Sequence, residues 1–275
     1  MVVSDVPVVI GIVAYRNERA ELVRLLRSLE VARRSSGPRF EVLWHDNSDD
    51  ATWRASVHDL PIHFVSSSKN VGFGRGHNEL MKSAFSVSST RAYVGLNPDA
   101  IIHPDMVREL QAQASNLDNP GLVEAMQFPD EHPKPYDPVT GETPWCSGCA
   151  LLITRALYER IGGFDENFFM YCEDVDLSWR ARAAGFQIAI APKALVHHYT
   201  GNRSPGSSRQ REMLRGGAYL AAKWGDERFR KECAREFELM SGKPLHLPAV
   251  KRPTREMRAV AHFDDSFYFA PTRWV

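Results

Sequence analysis

Residues 8–18 read Val8-Val-Ile-Gly-Ile-Val13-Ala-Tyr-Arg-Asn-Glu18, and this stretch decides the fold. Its first six residues form a short, continuous apolar run rich in β-branched side chains, which is typical of a strand buried on both faces. A polar turn follows, and then a helical pattern from Glu18 to Glu30. One face of that helix carries Leu22, Leu25, Leu26 and Leu29. The stretch therefore predicts a buried strand, a polar turn and an amphipathic helix.

The same alternation continues along the chain. Alternating strands and helices predict an α/β fold with a mostly parallel sheet flanked by helices. Ligands bind at the carboxyl ends of the strands in such sheets. Polar clusters lie at three of these ends, at Tyr15 to Glu18, Asp46 to Asp49 and Asn97 to Asp99. We predict further strands at 40–44, 62–65, 91–96, 150–154, 187–190 and 195–199, and further helices at 76–85, 155–161 and 174–184.

The composition limits the class of partner. The chain has 275 residues, with 34 Lys and Arg against 34 Asp and Glu, and this balance argues against nucleic acid. Basic residues outnumber acidic ones from Arg203 to Arg258. That region predicts either a solvated helical face or a contact with anionic lipid headgroups or a lipid-phosphate acceptor. With neither a signal-peptide pattern nor a membrane-length apolar run, we expect a cytoplasmic protein, with peripheral contact at the inner membrane face as the alternative.

The four cysteines include one pair with the spacing of a redox or zinc site, Cys146-Ser-Gly-Cys149. No second pair with zinc-ribbon spacing follows it. We therefore expect these cysteines to pack as small apolar residues in a reducing compartment. The Pro-rich segment 127–145 predicts an extended loop, either over an acceptor site or as a plain surface excursion.

Two segments of the first half are candidates for ligand contacts. Asp99 follows a strand end, where a carboxylate can hold Mg²⁺ or Mn²⁺ or can simply form a turn. Gly72-Phe-Gly-Arg-Gly76 predicts a phosphate-facing or tightly packed loop. The first of these roles would place Lys69, Asn70 and Arg75 near a nucleotide, and the alternative is that the glycines serve geometry only.

The acidic run Glu173-Asp174-Val175-Asp176 is the strongest candidate for catalysis. It begins a predicted helix, where the helix dipole favours carboxylates. Aromatic residues precede it and could raise the pKa of a carboxyl toward that of a general base. The alternative is a capped helix, with Asp176 paired to Arg180 four residues later. His197 and His198 follow a predicted strand and are either structural or complete a metal site begun by a carboxylate.

Taken together, these motifs resemble glycosyltransferase family 2, and within it the bacterial rhamnosyltransferase-like branch of cell-surface polysaccharide synthesis. They occur in the family's order and cover roughly residues 8 to 200. The matching stretches are Ile12 to Glu18, His45 to Ser48, Asn70 to Gly74 with Gly76 to Asn78, Leu96 to Asp99, Gly162 to Glu166, Phe169 to Leu177 and Val196 to His198.

The resemblance implies a GT-A fold, inversion at the anomeric carbon and a divalent cofactor, Mg²⁺ or Mn²⁺. It makes Asp174 the catalytic base, with Glu173 beside it, and Asp99 and His197 the metal ligands. Residues 1–200 would form the catalytic domain, with a nucleotide-binding half at 1–99 and an acceptor half at 100–200. Residues 201–275 would form a mainly helical C-terminal extension. The nucleotide-binding residues would be Ala14, Tyr15, Arg16, Glu18, Asp46, Asn70, Arg75 and Asn97, with Asp46 reading the pyrimidine base.

Two positions depart from the family pattern. Asn97 replaces the first Asp of the family's Asp-x-Asp motif, so that metal binding rests on fewer charges. Cys172 stands where a small residue such as Gly is usual. The resemblance favours dTDP-rhamnose as the donor, UDP-sugars next, and a glycan or lipid-linked acceptor. Two other functions remain open from the sequence: a sugar nucleotidyltransferase, and a non-catalytic domain that binds sugar or nucleotide.

Overall fold

The computed structural model describes residues 7–35, 39–48, 60–66, 69–129, 134–198 and 207–263. Within them the strands are β1 (Val8–Ala14), β2 (Phe40–Asp46), β3 (Ile62–Ser66), β4 (Ala92–Leu96), β5 (Ile101–Ile102), β6 (Pro120–Phe128), β7 (Ala150–Thr154) and β8 (Gln187–His197). The helices are α1 (Arg19–Arg34), α2 (Phe73–Phe85), α3 (Met106–Ser115), α4 (Arg155–Ile161), α5 (Glu173–Ala183), α6 (Ser207–Trp224), α7 (Glu227–Ser241) and α8 (Arg255–Arg258).

The strands form one sheet in the order β3-β2-β1-β4-β7-β6-β8-β5. The pairings of β1 with β2 and β4, of β2 with β3 and of β6 with β8 are parallel, and those that involve β7 or β5 are antiparallel. From β1 the chain runs to β2 and β3 on one side and to β4 on the other. In such sheets, ligands bind at the carboxyl ends of the strands beside a reversal of this kind.

Both faces of the sheet are covered, as the composition of β1 predicts. Alternate residues of β1 point to opposite faces. Ile10 and Ile12 join the apolar core beneath α1, whereas Val9 and Val13 join the core beneath α2. The predicted α/β fold is therefore confirmed.

Most of the predicted elements are present, but the structure differs from the prediction in two segments. The two strands predicted at 187–190 and 195–199 are one continuous strand, β8, whose pairing with β6 shifts register between Ala191 and Leu195. Pro192 lies in that irregular stretch, where proline is tolerated because ladder hydrogen bonds are already interrupted. The segment 101–128 contains β5, α3 and β6, which the sequence patterns above do not predict.

The described chain beyond residue 198 contains helices α6 to α8 and irregular segments but no strand. Helix α6 packs on α5 through an aromatic cluster that includes Trp179 of α5 and Tyr219 and Trp224 of α6. Trp179 and Trp224 meet edge to face with ring centroids 5.4 Å apart. The C-terminal helices are therefore packed into the fold. The functional division at residue 99 stays a prediction.

Candidate active site

The carboxyl ends of β1 and β2 meet side by side. Ala14 pairs with Asp46 in the parallel register, and the backbone N–H of Asn47 donates to Ala14 O at 2.9 Å. The Asn47 side chain continues the link, because its Nδ2 donates to Gly72 O and its Oδ1 accepts from the Val71 N–H, each at 3.3 Å. One buried asparagine thus holds the ends of β1 and β2 against the loop before α2.

Asp46 is buried at this edge, with a residue exposure of 1%. Its Oδ1 accepts hydrogen bonds from the backbone N–H of Ser48 at 2.9 Å and from the Ser48 hydroxyl at 2.6 Å. These contacts fix the carboxylate at the end of β2, where the prediction places the nucleoside. Asp49, the last residue of the predicted polar cluster, lies outside the described residues.

The turn after β1 places Tyr15, Arg16 and Glu18 at the surface. Arg16 adopts a left-handed backbone, with φ 50°, and its guanidinium lies 5.2 Å from the centroid of the Tyr15 ring. Glu18 precedes α1 without capping it by its side chain. These three side chains are exposed at the same sheet edge as Asp46.

The glycine loop before α2 is built for close packing. Gly72 has φ 89°, and a Cβ there would lie 2.3 Å from Phe169 O. Asn70 Oδ1 accepts from the Gly72 N–H at 2.9 Å, and the Arg75 Nε donates to Glu166 O at 3.0 Å. Asn70 and Arg75 therefore support the loop and its contact with the 162–169 segment, and their contact with a nucleotide stays a prediction.

The structure brings His198, not His197, to Asp99. The His198 Nε2 lies 3.4 Å from Asp99 Oδ1 and 3.4 Å from Asn97 Nδ2. His197 is exposed, and its ring lies near the Phe128 ring, on the side of β8 opposite to His198. The reason is the alternation of side chains along β8, because a shift of one residue reverses the direction of a side chain. The prediction of His197 as the partner of Asp99 is therefore corrected to His198.

The atoms around His198 fit a divalent metal. Gln127 Oε1 can only accept, and it lies 2.9 Å from His198 Nδ1, so that the ring proton is on Nδ1. The Nε2 lone pair then points toward Asp99. A histidine that binds a metal through one ring nitrogen typically donates the N–H of the other to a partner such as Gln127. The described residues contain no cluster of three or more His, Cys, Asp or Glu that could hold a metal. Two protein ligands suit Mg²⁺ or Mn²⁺ that is also bound by substrate phosphates.

The acidic run begins α5 after an unusual turn. Tyr171 and Cys172 both have left-handed backbones, with φ 71° and 70°. This explains why glycine is usual at the position of Cys172, since glycine adopts positive φ without a steric penalty. The next residue, Glu173, is buried, and its Oε2 has no hydrogen-bond partner among the described residues. Burial, and then the neighbouring charge of Asp174, raise the pKa of Glu173 to about 8.

Asp174 is held by two backbone groups. Its Oδ2 accepts from the Gly148 N–H and its Oδ1 from the Val175 N–H, both at 2.9 Å. Gly148 also packs near the Phe73 ring of α2, and the next residue, Cys149, accepts from the Asn97 N–H at 2.8 Å. A short path of contacts therefore joins Asp174 to the strand end that carries Asn97 and Asp99.

Asp176 has a structural environment, as the pairing hypothesis predicts. It is fully buried and accepts from Arg180 Nε at 2.8 Å and from Trp224 Nε1 at 2.9 Å. Lys223 lies 2.8 Å from Asp176 and 2.6 Å from Asp165. Asp176 thus anchors α6 on α5.

The cysteines of the Cys146–Cys149 pair are free and buried on opposite faces of the sheet, each in a different apolar core. Burial raises the pKa of both thiols well above its usual value. The expectation that they pack as apolar residues is confirmed.

Sequence patterns miss three supporting residues. Gln127 and Glu124 are buried on β6, and Lys134 forms a buried ion pair with Glu124. The Glu124 carboxylate also accepts from the Ser147 N–H at 2.8 Å, beside Gly148. For Glu124 and Gln127, the only signal in the sequence is that two polar residues interrupt an otherwise apolar segment. Cavity size gives no further guidance, because the cavities of about 380 and 360 Å³ lie near Trp224 and Pro135 instead.

Known proteins are similar to this chain in both sequence and fold. Residues 138–217 match the family described as Glycosyltransferase like family 2. The N-acetylglucosaminyl-diphospho-decaprenol L-rhamnosyltransferase of Mycobacterium tuberculosis is 25% identical over 232 residues, which cover 68% of this chain and 75% of that protein. The rhamnosyltransferase WbbL of Escherichia coli K12 is 39% identical over 82 residues, 29% of this chain and 31% of WbbL. These matches confirm the resemblance of this chain to glycosyltransferase family 2.

A solved structure confirms the GT-A type of fold. The mannosyltransferase PcManGT from Pyrobaculum calidifontis, in complex with GDP-Man and Mn²⁺, superposes with a TM-score of 0.60. The match covers 85% of this chain and 70% of that one at 17% identity, so it shows the fold alone. In the part of this chain that the structure describes, no helix has the length and apolarity required to cross a bilayer.

Proposed function

We propose that this chain transfers a sugar, with inversion, from a nucleoside-diphosphate donor to an acceptor hydroxyl, and that Asp174 is the catalytic base. One observation carries the proposal. Asp46, the Asn97–Asp99 strand end, His198 and the Asp174 carboxylate lie along one edge of the sheet and are joined by the Asn47 and Gly148 contacts. Structural packing alone does not require so many carboxylates and polar strand ends at one crevice.

The donor would lie across the ends of β1, β2 and β4. The buried Asp46 carboxylate accepts hydrogen bonds and suits the N–H group of a pyrimidine base. Ala14, Tyr15, Arg16 and Glu18 would line the nucleotide from the turn after β1. Asn70, Arg75 and Asn97 complete the proposed contacts. Of these three, Arg75 would supply a cation, although its Nε also donates to Glu166 O.

Asp99 and His198 would hold a divalent cation, Mg²⁺ or Mn²⁺. When bound, the cation would supply positive charge to the departing diphosphate. Asn97 lies beside this pair and contributes an amide in place of a second carboxylate. The single carboxylate predicts weak binding of metal by the protein alone, with affinity raised by the donor's phosphates.

The transfer itself would be one displacement. An acceptor hydroxyl gives its proton to Asp174 as its oxygen forms a bond to the anomeric carbon. The bond from that carbon to the phosphate oxygen breaks on the opposite face, and the nucleoside diphosphate leaves with the electron pair. Gly148 and Val175 hold the Asp174 carboxylate in place, which reduces the entropic cost of reaching this geometry.

The relatives favour a rhamnose donor and a lipid-linked acceptor. The name of the mycobacterial relative contains both an L-rhamnosyl group and a diphospho-decaprenol acceptor. We therefore propose dTDP-rhamnose as the donor, with UDP-sugars next. The basic C-terminal region supports a contact with anionic lipid, although Arg228 and Arg230 also pair with acids on their own helix.

Substitution of Asp174 tests the assignment. We expect Asp174→Asn to lower kcat about 10²–10⁴-fold, because a positioned base typically contributes that much. Donor affinity should persist, because the proposed nucleotide contacts lie on elements other than α5. The matched control is Asp118→Asn, an exposed position in the turn that precedes β6. Turnover of a donor panel with Mn²⁺ or Mg²⁺ measures both variants. Near-normal kcat in Asp174→Asn would contradict the role, and absence of donor binding and transfer in the unmodified chain would favour a non-catalytic domain.

A further inference from the structure

The turn that precedes the acidic run lies directly against helix α6. A Cβ at Gly216 of α6 would lie 2.4 Å from Tyr171 O and 3.3 Å from Met170 O. These are backbone atoms, so they cannot move aside as the end of a flexible side chain can. Only glycine allows α6 to approach the turn this closely.

The same turn holds an unfavourable conformation. Two successive non-glycine residues, Tyr171 and Cys172, have positive φ, and such conformations persist only where the surrounding structure over-determines them. The residue at the N-cap position of α5, Cys172, makes no capping hydrogen bond with its side chain. The turn is therefore held by its packing.

Helix α6 supplies much of that packing. The Arg209 guanidinium lies 6.0 Å from the centroid of the Tyr171 ring. Cys172 packs against the aromatic cluster to which Tyr219 and Trp224 of α6 belong. The Asp176 contacts with Lys223 and Trp224 fix α6 one turn further along α5. Gly216 is thus the closest point of a larger contact.

We propose that α6 is a positioning element of the transfer site, and that its contact at Gly216 holds the Tyr171–Cys172 turn in the conformation that aims Glu173 and Asp174. The inference rests on the proposed role of Asp174. The two carboxylates are the first residues of α5, so their positions follow from the direction in which the turn starts the helix. A displacement of about 1 Å can lower the rate of an enzyme about 10²-fold.

Alanine substitution at two adjacent glycines tests the contact. We expect Gly216→Ala to lower kcat about 10–100-fold and to leave donor affinity within about 2-fold, because the base moves and the nucleotide edge does not. The control is Gly217→Ala, where a Cβ would meet Cys233 Sγ at 3.1 Å and a Phe229 ring carbon at 3.3 Å, away from the turn. Both changes gain the same helix propensity, so they differ in the neighbour they displace. Equal kcat in the two folded variants would overturn the proposal.

Thiol labelling supplies a readout that does not depend on turnover. The Cys172 side chain is half-buried against the aromatic cluster that packs on α6. We expect N-ethylmaleimide to label Cys172 faster in Gly216→Ala than in Gly217→Ala, whereas Cys146 and Cys149, which are buried in the two apolar cores, should label equally slowly in both variants. An unchanged Cys172 rate in Gly216→Ala would show that the turn is not held by this contact.

A second pair of variants tests the turn even if Gly216→Ala does not fold. Tyr171→Gly and Tyr171→Val both remove the phenol, but glycine accepts φ 71° and the β-branched valine does not. We expect kcat of the valine variant to be at least about 10-fold below that of the glycine variant. Equal values would refute the proposal. Asp174→Asn in the same assay distinguishes failure of the proposed base from failure of the proposed role of α6. If Asp174→Asn keeps its turnover, the proposed function fails. If Asp174→Asn loses turnover but the Gly216 and Tyr171 variants do not, only the role of α6 fails.

Discussion

At the scale of single residues, the acidic run divides into three environments within four positions. Glu173 is buried without a hydrogen-bond partner for its Oε2 among the described residues, Asp174 is held by two backbone N–H groups, and Asp176 is buried among cations. Burial and the neighbouring charge of Asp174 raise the pKa of Glu173 to about 8, which favours the neutral form of its carboxyl at pH 7. Asp174 is the carboxylate beside it that we propose as the base.

Glu173 should make the stability of the protein depend on pH. Its pKa is about 8 in the folded state, against the ordinary 4.5, so between these values the folded state keeps a proton that the unfolded state releases. The free energy of unfolding should therefore fall as pH rises through this window. We expect Glu173→Gln, which cannot ionise, to have a Tm that exceeds the parent's by more at pH 8 than at pH 5. The exposed Glu166→Gln is the control, and a constant Tm difference across the range would contradict the assignment.

The two histidines at the end of β8 should differ in their effect on metal binding. We expect His198→Ala to weaken the donor-dependent affinity for Mn²⁺ by at least about 10-fold, because even residues that only support a metal ligand contribute that much. His197→Ala should leave the affinity unchanged, since its side chain points away from Asp99. Titration of Mn²⁺ in the presence of donor measures both. The reverse order of effects would restore the original prediction of His197.

At the residue scale, the sequence correctly placed several polar side chains at strand ends, because strand ends can be read from apolar runs. Asp46 is the last residue of β2, and Asn97 and Asp99 come just after β4. The choice between His197 and His198 depends on the phase of β8, which the break at Pro192 obscures in the sequence. The roles of Gln127 and Gly148 depend on contacts between segments far apart in the chain, which carry no local pattern.

At the scale of secondary-structure elements, α5 and α6 are joined by a buried charge cluster. Lys223 of α6 bridges Asp165 and Asp176, with nitrogen-to-oxygen distances of 2.6 and 2.8 Å. Arg180 adds a contact within α5. The i,i+4 spacing predicted the Asp176–Arg180 pair, but the participation of α6 could not be predicted, because nothing in the local sequence indicates which surface the helix meets.

Removal of Lys223 should weaken this junction. We expect Lys223→Met to lower the free energy of unfolding by about 3 kcal/mol, because loss of one partner leaves a buried carboxylate poorly compensated. Chemical denaturation measures the change. Arg228→Met is the control, since the exposed Arg228–Glu232 pair on α7 is screened by solvent and should matter little. A Lys223 variant as stable as the control would mean that the aromatic packing alone holds the two helices together.

At the scale of the whole molecule, the site is assembled from strands that are distant in sequence. The sheet order places β1 between β2 and β4, and the antiparallel β7 brings residues 148–150 to the same edge. The alternation of strands and helices predicted the class of fold, and it places the proposed ligand site at the carboxyl ends of the strands. It did not predict the order of the strands in the sheet, and the sequence patterns left β5, α3 and β6 unassigned.

Binding of a donor across this edge should stabilise the whole fold. A ligand present at about 100 times its Kd adds about 2.7 kcal/mol to the free energy of unfolding. We expect Tm to rise with dTDP or dTDP-rhamnose in the presence of Mn²⁺, to rise less with UDP, and to lose most of the rise when EDTA removes the metal. A thermal-shift panel measures these effects. A rise that is indifferent to EDTA would contradict the proposed metal pair.

The pairing of β5 with β8 has a consequence for the order in which the protein acquires its parts on the ribosome. Asn97 and His198 are 101 positions apart, and among the strands that the structure describes β5 pairs only with β8. Translation at about 5–20 residues per second therefore separates their synthesis by about 5–20 s. During this interval the nascent chain already contains the residues at the ends of β1, β2 and β4 but lacks the histidine, so that the proposed nucleotide edge is synthesised before the two proposed metal ligands exist as a pair.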